Sequence, residues 1–254
     1  MEKVSEVNRS REWFDTPELY GWMRRAAFKA EGFSEESYEG KPIIGICNTW
    51  SELTHCNSHL RDLAEAVKRG VWQMGGFPME FPVMSLGEVN MKPTTMLYRN
   101  LLSMDVEESI TANPLDAVVV LGGCDKTTPG LLMGAASADI PTILVTGGPQ
   151  LKGNWKGEEL GSCTDCRRYE IELRAGNITE DDWAELQSCI VRSNGHCMTM
   201  GTASTMATIG EALGLALPGN AAIPAVDSRR KQLAEEAGRQ AVRIVGTDLI
   251  PSKL

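Results

Sequence analysis

Three consecutive residues of unlike chemistry, the thiol of Cys124, the carboxylate of Asp125 and the amine of Lys126, follow the apolar run 117–121 and the pair Gly122-Gly123. The run reads as a buried strand, the glycines let the backbone turn sharply, and the apolar stretch 131–138 beyond reads as a helix. Open α/β sheets bind ligands at the carboxyl ends of their strands, so these side chains stand where chemistry is expected. A soft donor beside hard ones fits two different metals better than one. Taken alone, Cys124 reads equally well as a buried structural cysteine next to a surface ion pair.

Cys56 and Cys197 shift that balance. Cys56 lies in Thr-His-Cys-Asn after the strand-like stretch 43–47 and before a helix, and Cys197 lies in Gly-His-Cys-Met ahead of another helix. At such junctions backbone N–H groups and the helix dipole favour a thiolate. The three cysteines are too far apart in sequence for a local zinc knuckle, whose ligands come in close pairs. Three thiolates from three loops suit an iron–sulfur cluster with one iron left open to a substrate.

The other polar candidates read more plainly. Cys163-x-x-Cys166 has no second pair and no nearby His to complete a zinc site, and it follows a glycine-rich loop rather than the first strand of a redox fold. Cys47 and Cys189 fall in a strand and on a helix face, as core residues do. His55 and His59 flank Cys56, and His196 precedes Cys197. Each either tunes the site by a hydrogen bond to a sulfur or a substrate carboxylate, or serves in capping and packing. Gly122-Gly123 and Gly147-Gly148 lack Walker or Rossmann spacing. Thr202, Ser204 and Thr205 are helix-start hydroxyls before they are substrate contacts.

These residues need a frame to hold them, and 254 residues can bury one large core or two modest ones. A net charge of −9 with no basic cluster excludes general nucleic-acid binding. No apolar run approaches the roughly 20 residues of a membrane span, and the start lacks a signal-peptide core. Seven scattered cysteines fit a reducing cytoplasm better than a disulfide framework.

The first 12 or so residues are polar and expected to be loosely held. A helix is predicted over 17–30, a buried strand over 42–47, and a helix after Cys56 carrying Leu60, Leu63, Ala64, Val67 and Val71 inward. Residues 77–86, with Pro78 and Pro82, read as an edge or irregular strand. Pro93 is expected to open a helix with Leu97, Leu101 and Met104 inward, ending before Asn113-Pro114. Strands at 117–121 and 141–145 enclose the 131–138 helix and should be parallel neighbours. Residues 147–161 read as a long functional loop. Helices follow after Thr179, after Cys197 and over about 228–245, the last with Leu233, Ala237, Ala241 and Ile244 inward. Strands alternating with helices make the class α/β, with mostly parallel sheet flanked by helices.

Three stretches then carry a resemblance. Thr54-His55-Cys56-Asn57, Gly123-Cys124-Asp125-Lys126 with Pro129-Gly130, and Cys197-x-x-Met200-Gly201-Thr202-Ala203-Ser204-Thr205-Met206 resemble the signature segments of the dihydroxy-acid and sugar-acid dehydratase family. The similarity runs from about Trp13 to the end of the chain. Residues 80–88 and 161–168 look most like the branch acting on arabinonate and xylonate.

The resemblance implies Cys56, Cys124 and Cys197 as ligands of an iron–sulfur cluster, with [2Fe–2S] favoured and [4Fe–4S] the alternative. It implies a Mg²⁺ ion on Glu88, Asp125 and Lys126, the lysine as a carbamate, because a free ammonium offers a metal no lone pair. An ordinary ion pair of Lys126 with Asp125 or Glu88 is the plainer alternative. Residues 1–254 would then be the cluster-bearing N-terminal domain. The family continues into a β-rich C-terminal domain that supplies a further metal carboxylate and the catalytic base, so the base is expected outside this chain and the chain alone to be inactive. The implied reaction is dehydration of an aldonic acid to a 2-keto-3-deoxy acid. Dihydroxy-acid dehydration in branched-chain amino-acid synthesis and a non-catalytic metal-binding fragment are the alternatives. The expected partners are a small sugar-acid substrate and further copies of the full-length protein, as homodimer or homotetramer, with no nucleic acid and no membrane, in the cytoplasm.

Overall fold

Two β-branched runs form the centre of the sheet. In a computed structural model, which describes residues 8–254 apart from the side chain of Cys163, β1 (Ile43–Asn48) and β3 (Ala117–Gly122) pair in parallel and every residue of both is buried. β2 (Phe77–Pro82) adds to the free side of β1 and β4 (Thr142–Thr146) to the free side of β3, giving a four-stranded parallel sheet in the order β2-β1-β3-β4. Burial on both faces explains why these strands read as continuous apolar runs rather than alternating ones.

Successive side chains point to opposite faces, so two cores form. Ile44, Ile46, Val119, Leu121, Ile143 and Val145 meet α4 (Leu60–Gln73) and α10 (Ser228–Arg243) on one face. Ile43, Cys47, Val118, Val120 and Leu144 meet α5 (Arg99–Thr111), α6 (Thr127–Ala138) and an aromatic group around Phe28, Tyr38 and Phe77 on the other. Phe28 comes from α2 (Leu19–Ala30) and Tyr38 from the single turn α3 (Glu35–Tyr38). The predicted strand–helix–strand unit is β3-α6-β4, with Val118 opposite Thr142 and Gly122 opposite Thr146. β2 lies at the sheet edge. The amides of Phe77 and Val83 donate to β1's side, so Pro78 and Pro82 fall where their missing N–H faces away from the ladder.

Four expectations need correction. Residues 1–7 lie outside the described residues, but the segment directly after them is fixed. Ser10 is buried with its amide on the Asp116 carboxylate at 3.0 Å, and α1 (Arg11–Phe14) follows. Pro93 does not open α5: a 3₁₀ turn (Thr95–Tyr98) intervenes, and the inward stripe is Leu102, Val106 and Ile110, leaving Leu97, Leu101 and Met104 exposed. The tighter winding of that turn rotates the chain before the α-helix begins, which shifts the buried face. α6 starts at Thr127, before the apolar stretch, because Pro129 in the first turn lacks only an N–H that would be unbonded anyway. The supposed long loop contains a hairpin, β5 (Gly153–Trp155) with β6 (Glu158–Leu160). Lys156 and Gly157, both at positive φ, make the two-residue turn that matches strand twist.

Helices α7 (Cys163–Arg174) and α8 (Glu180–Ile190) pack on that hairpin, with Cys189 half-buried beside the Trp155, Leu160 and Leu186 cluster. The predicted Thr179 cap of α8 is a full capping box with Asp182. α9 (Thr202–Ala212) follows the Cys197 loop. No helix among the described residues is long and apolar enough to cross a membrane.

Candidate metal centre

Cys56 follows β1, Cys124 follows β3, and the Cys197 loop is fastened to the chain leaving β4. His196 donates its amide to the Gly148 carbonyl at 3.0 Å and accepts from the Gln150 amide at 2.8 Å. The carboxyl ends of three adjacent strands thereby collect the three cysteines from a stretch of 142 residues. Cys56 and Cys124 are buried and hydrogen-bonded to each other, and Cys197, half-buried, lies within electrostatic reach of Cys56.

The two buried thiols differ. The hydrogen bond from Cys56 is the main influence holding Cys124 below the usual thiol range, and the backbone amides of Glu88 and Asp125 donate to the same sulfur. Cys56, the donor, is pushed far up by that bond and by burial. Cys124 is therefore the more acidic thiol of the pair. Among the described residues no three His, Cys, Asp or Glu side chains are gathered tightly enough to share one metal ion. A cluster spreads its ligand sulfurs over more than one iron and does not demand that.

Gly123 sets the approach of the two cysteine loops. A Cβ there would stand 2.8 Å from the Cys56 carbonyl oxygen and 2.9 Å from Asn57 Oδ1. Gly123→Ala is expected to push the loops apart, destabilising the fold by about 1–3 kcal/mol as overpacking does. Thermal unfolding would show the loss, and iron retained after anaerobic reconstitution should fall with it.

The hard donors lie beside the sulfurs. Lys126 Nζ is 2.5 Å from Asp125 Oδ2, and Cys124 Sγ is 3.5 Å from Asp125 Oδ1. Glu88 arrives because the residue two before it is pinned: the Leu86 amide and carbonyl both bond the Thr127 hydroxyl, at 3.1 and 2.9 Å. The Glu88 carboxylate accepts from the Thr94 hydroxyl at 3.0 Å, from the Thr95 amide at 3.2 Å and from the Thr95 hydroxyl. Those bonds, the Thr95 hydroxyl foremost, hold it below the usual carboxylate range, and the Lys126 charge adds to them.

The three histidines divide. His55 Nε2 is 3.6 Å from Cys56 Sγ. His59 Nε2–H instead donates to the Gly147 carbonyl at 2.8 Å, and His196 Nδ1–H to the Cys197 carbonyl at 3.1 Å. Burial lowers the pKa of both, that of His196 to about 4, so both rings are neutral at pH 7. Their remaining nitrogens are buried without a partner. A cavity of about 670 Å³ lies elsewhere, between Trp50, Trp72 and Glu80, and no cysteine lines it.

Sequence reasoning missed Thr94, Thr95 and Thr127, whose hydroxyls set the Glu88 loop, and Arg230, which is wholly buried. The threonines left no signal. Arg230 did: it falls three residues before Leu233, on the apolar stripe of α10.

Comparison with known proteins gives the family. Residues 41–254 match the family described as dihydroxy-acid/6-phosphogluconate dehydratase N-terminal. The chain belongs to that family. It is 55% identical over 246 residues to an L-arabonate dehydratase of Azospirillum brasilense, covering 97% of this chain and 42% of the relative. A 6-deoxy-6-sulfo-D-gluconate dehydratase of Pseudomonas putida is 49% identical over 250 residues, 98% of this chain and 43% of the relative. A dihydroxy-acid dehydratase of Moorella thermoacetica is 39% identical over 233 residues, 89% of this chain and 42% of the relative. The chain thus spans about two fifths of the length of these relatives.

Proposed function

We propose that this chain is the metal-binding part of a hydro-lyase that dehydrates an aldonic acid to its 2-keto-3-deoxy product. The observation carrying the proposal is the meeting of Cys56, Cys124 and the Cys197 loop at the ends of neighbouring strands, with Asp125, Lys126 and Glu88 alongside. The donors fit two groups. Cys56, Cys124 and Cys197 would hold an iron–sulfur cluster, whose open iron would supply Lewis acidity toward the departing hydroxyl. Glu88 and Asp125 would hold Mg²⁺ with Lys126 as a carbamate, formed when its deprotonated amine adds CO₂ and releases a proton. The product keeps one N–H, offers carboxylate oxygens to the metal, and exchanges the Asp125 ion pair for a shared cation.

The reaction removes a proton from C2 and hydroxide from C3, leaving an enol that becomes the 2-keto acid. The Thr94 and Thr95 bonds keep Glu88 ionised and fixed. The Cys56 bond, with the amides of Glu88 and Asp125, holds Cys124 below the usual thiol range. Cys56 and Cys124 are both buried, which limits the access of water to their sulfurs.

Higher identity to the arabonate and sulfogluconate dehydratases than to the dihydroxy-acid dehydratase supports a sugar-acid substrate. The test is anaerobic assay of the enzyme that carries this chain as its N-terminal part, with arabinonate, xylonate, 6-deoxy-6-sulfogluconate and dihydroxyisovalerate. Turnover of a sugar acid is expected. Turnover of dihydroxyisovalerate alone would reject the reading.

A further inference from the structure

We infer that Arg230 is a positioning residue for the cysteine loops, acting through a clamp on the chain that leaves β4. Arg230 is 0% exposed, and its four hydrogen bonds all go to uncharged oxygens. Nη1 donates to the Thr146 carbonyl and to Asn220 Oδ1, both at 3.1 Å. Nη2 donates to the Asn220 carbonyl at 2.7 Å and to the Ile223 carbonyl. A buried cation without a bonded carboxylate is costly, and the planar fork of donors is what a lysine cannot reproduce.

Every residue from Thr146 to Gln150 is fastened to another part of the chain. Thr146 is held by Arg230 and Asn220, the latter accepting its amide at 3.0 Å. Gly147 accepts from His59, three residues beyond Cys56. Gly148 and Gln150 bond the backbone of His196, next to Cys197, and Pro149 accepts from the Ala225 amide at 2.9 Å. The loops of Cys56 and Cys197 therefore both hang on a segment whose anchor is Arg230. The packing is close: a Cβ on Gly148 would stand 2.9 Å from Arg230 Nε, and Gly148 has φ +84°. This residue touches no reacting atom. Its role is to hold the sulfurs in register.

The clamp rests on geometry already described, and only its consequence for iron rests on the cluster reading. The test uses the intact protein with Arg230→Lys and Arg230→Gln, and Leu233→Ala as a control that weakens the same helix without touching the clamp. Hydrogen exchange of the Gln150 and His196 amides is read first. Both Arg230 variants should raise it about tenfold beyond the control when compared at equal stability, a loss of about 1.4 kcal/mol of local protection. Unchanged exchange at these amides overturns the clamp. Iron per chain and visible circular dichroism after anaerobic reconstitution are read second. The Arg230 variants should bind less iron with an altered spectrum, while Leu233→Ala keeps the native spectrum. Native iron content and spectrum in both Arg230 variants overturn the positioning role, whereas absence of iron from the unmodified protein would sink the cluster reading alone. Should the Arg230 variants fail to fold, Asn220→Ala cuts the clamp from its other side and must raise the same two exchange rates; native rates there also overturn it.

Discussion

Serine in place of Cys56, Cys124 or Cys197, one at a time, will strip most of the iron from the reconstituted protein, and Cys189→Ser will not. Removing groups that merely orient a metal ligand commonly costs 10–100-fold in affinity, so losing a ligand should cost roughly tenfold or more. Burial separates the three cases further. Cys56 and Cys124 are hydrogen-bonded to each other, and a serine at 124 would leave the Glu88 and Asp125 amides facing a shorter, less polarisable atom that ionises poorly. Cys56 donates to Cys124, so Cys56→Ser also replaces that bond, the main influence lowering the Cys124 pKa, by one from a shorter side chain. Cys197, half-buried and carried on a separate loop, should tolerate serine best as a fold while still losing iron. Iron and sulfide analysis with circular dichroism checks each. Native iron in Cys197→Ser, or loss of iron in Cys189→Ser, would show that the ligands are wrongly chosen.

The α/β class, the parallel β3-α6-β4 unit and the helix after Cys56 were legible because their apolar runs and stripes are strong and local. All five residues expected inward on that helix are buried. The α5 stripe was misread because a 3₁₀ turn rotates the chain, and such a turn leaves no periodic signature over four residues. The hairpin at 153–160 was missed because its strands are three residues each, below the length at which alternation can be counted. At the site, the residues with distinctive chemistry were legible and their supports were not. Cys56, Cys124 and Asp125 announce themselves by type, whereas Thr95, Thr127 and Asn220 act through ordinary hydroxyl and amide groups whose partners lie 7, 41 and 74 residues away. His59 and His196 were legible as neighbours of cysteines, but only the fold shows both bonded to backbone carbonyls.

Asp125→Asn separates the two metals proposed for this site. In the full-length enzyme it should lower Mg²⁺-dependent turnover by about 10³-fold, since a hard cation that stabilises developing charge contributes several kcal/mol and each 1.36 kcal/mol is a factor of ten. Asparagine keeps the side chain's shape and one ligating oxygen, so the loss would come from charge rather than from packing. The iron content should not fall. Asp125 Oδ1 is 3.5 Å from Cys124 Sγ, and its negative charge opposes ionisation of both Cys124 and Cys56. Removing that charge leaves the sulfurs at least as ready to bind iron. Lys126 would lose its ion pair at the same time, which by itself frees the amine for the carbamate rather than hindering it. Turnover at rising Mg²⁺, set beside the visible spectrum of the same sample, decides the matter. Joint loss of iron and turnover would mean that soft and hard donors serve one coupled centre, and undiminished turnover would remove Asp125 from the metal site altogether.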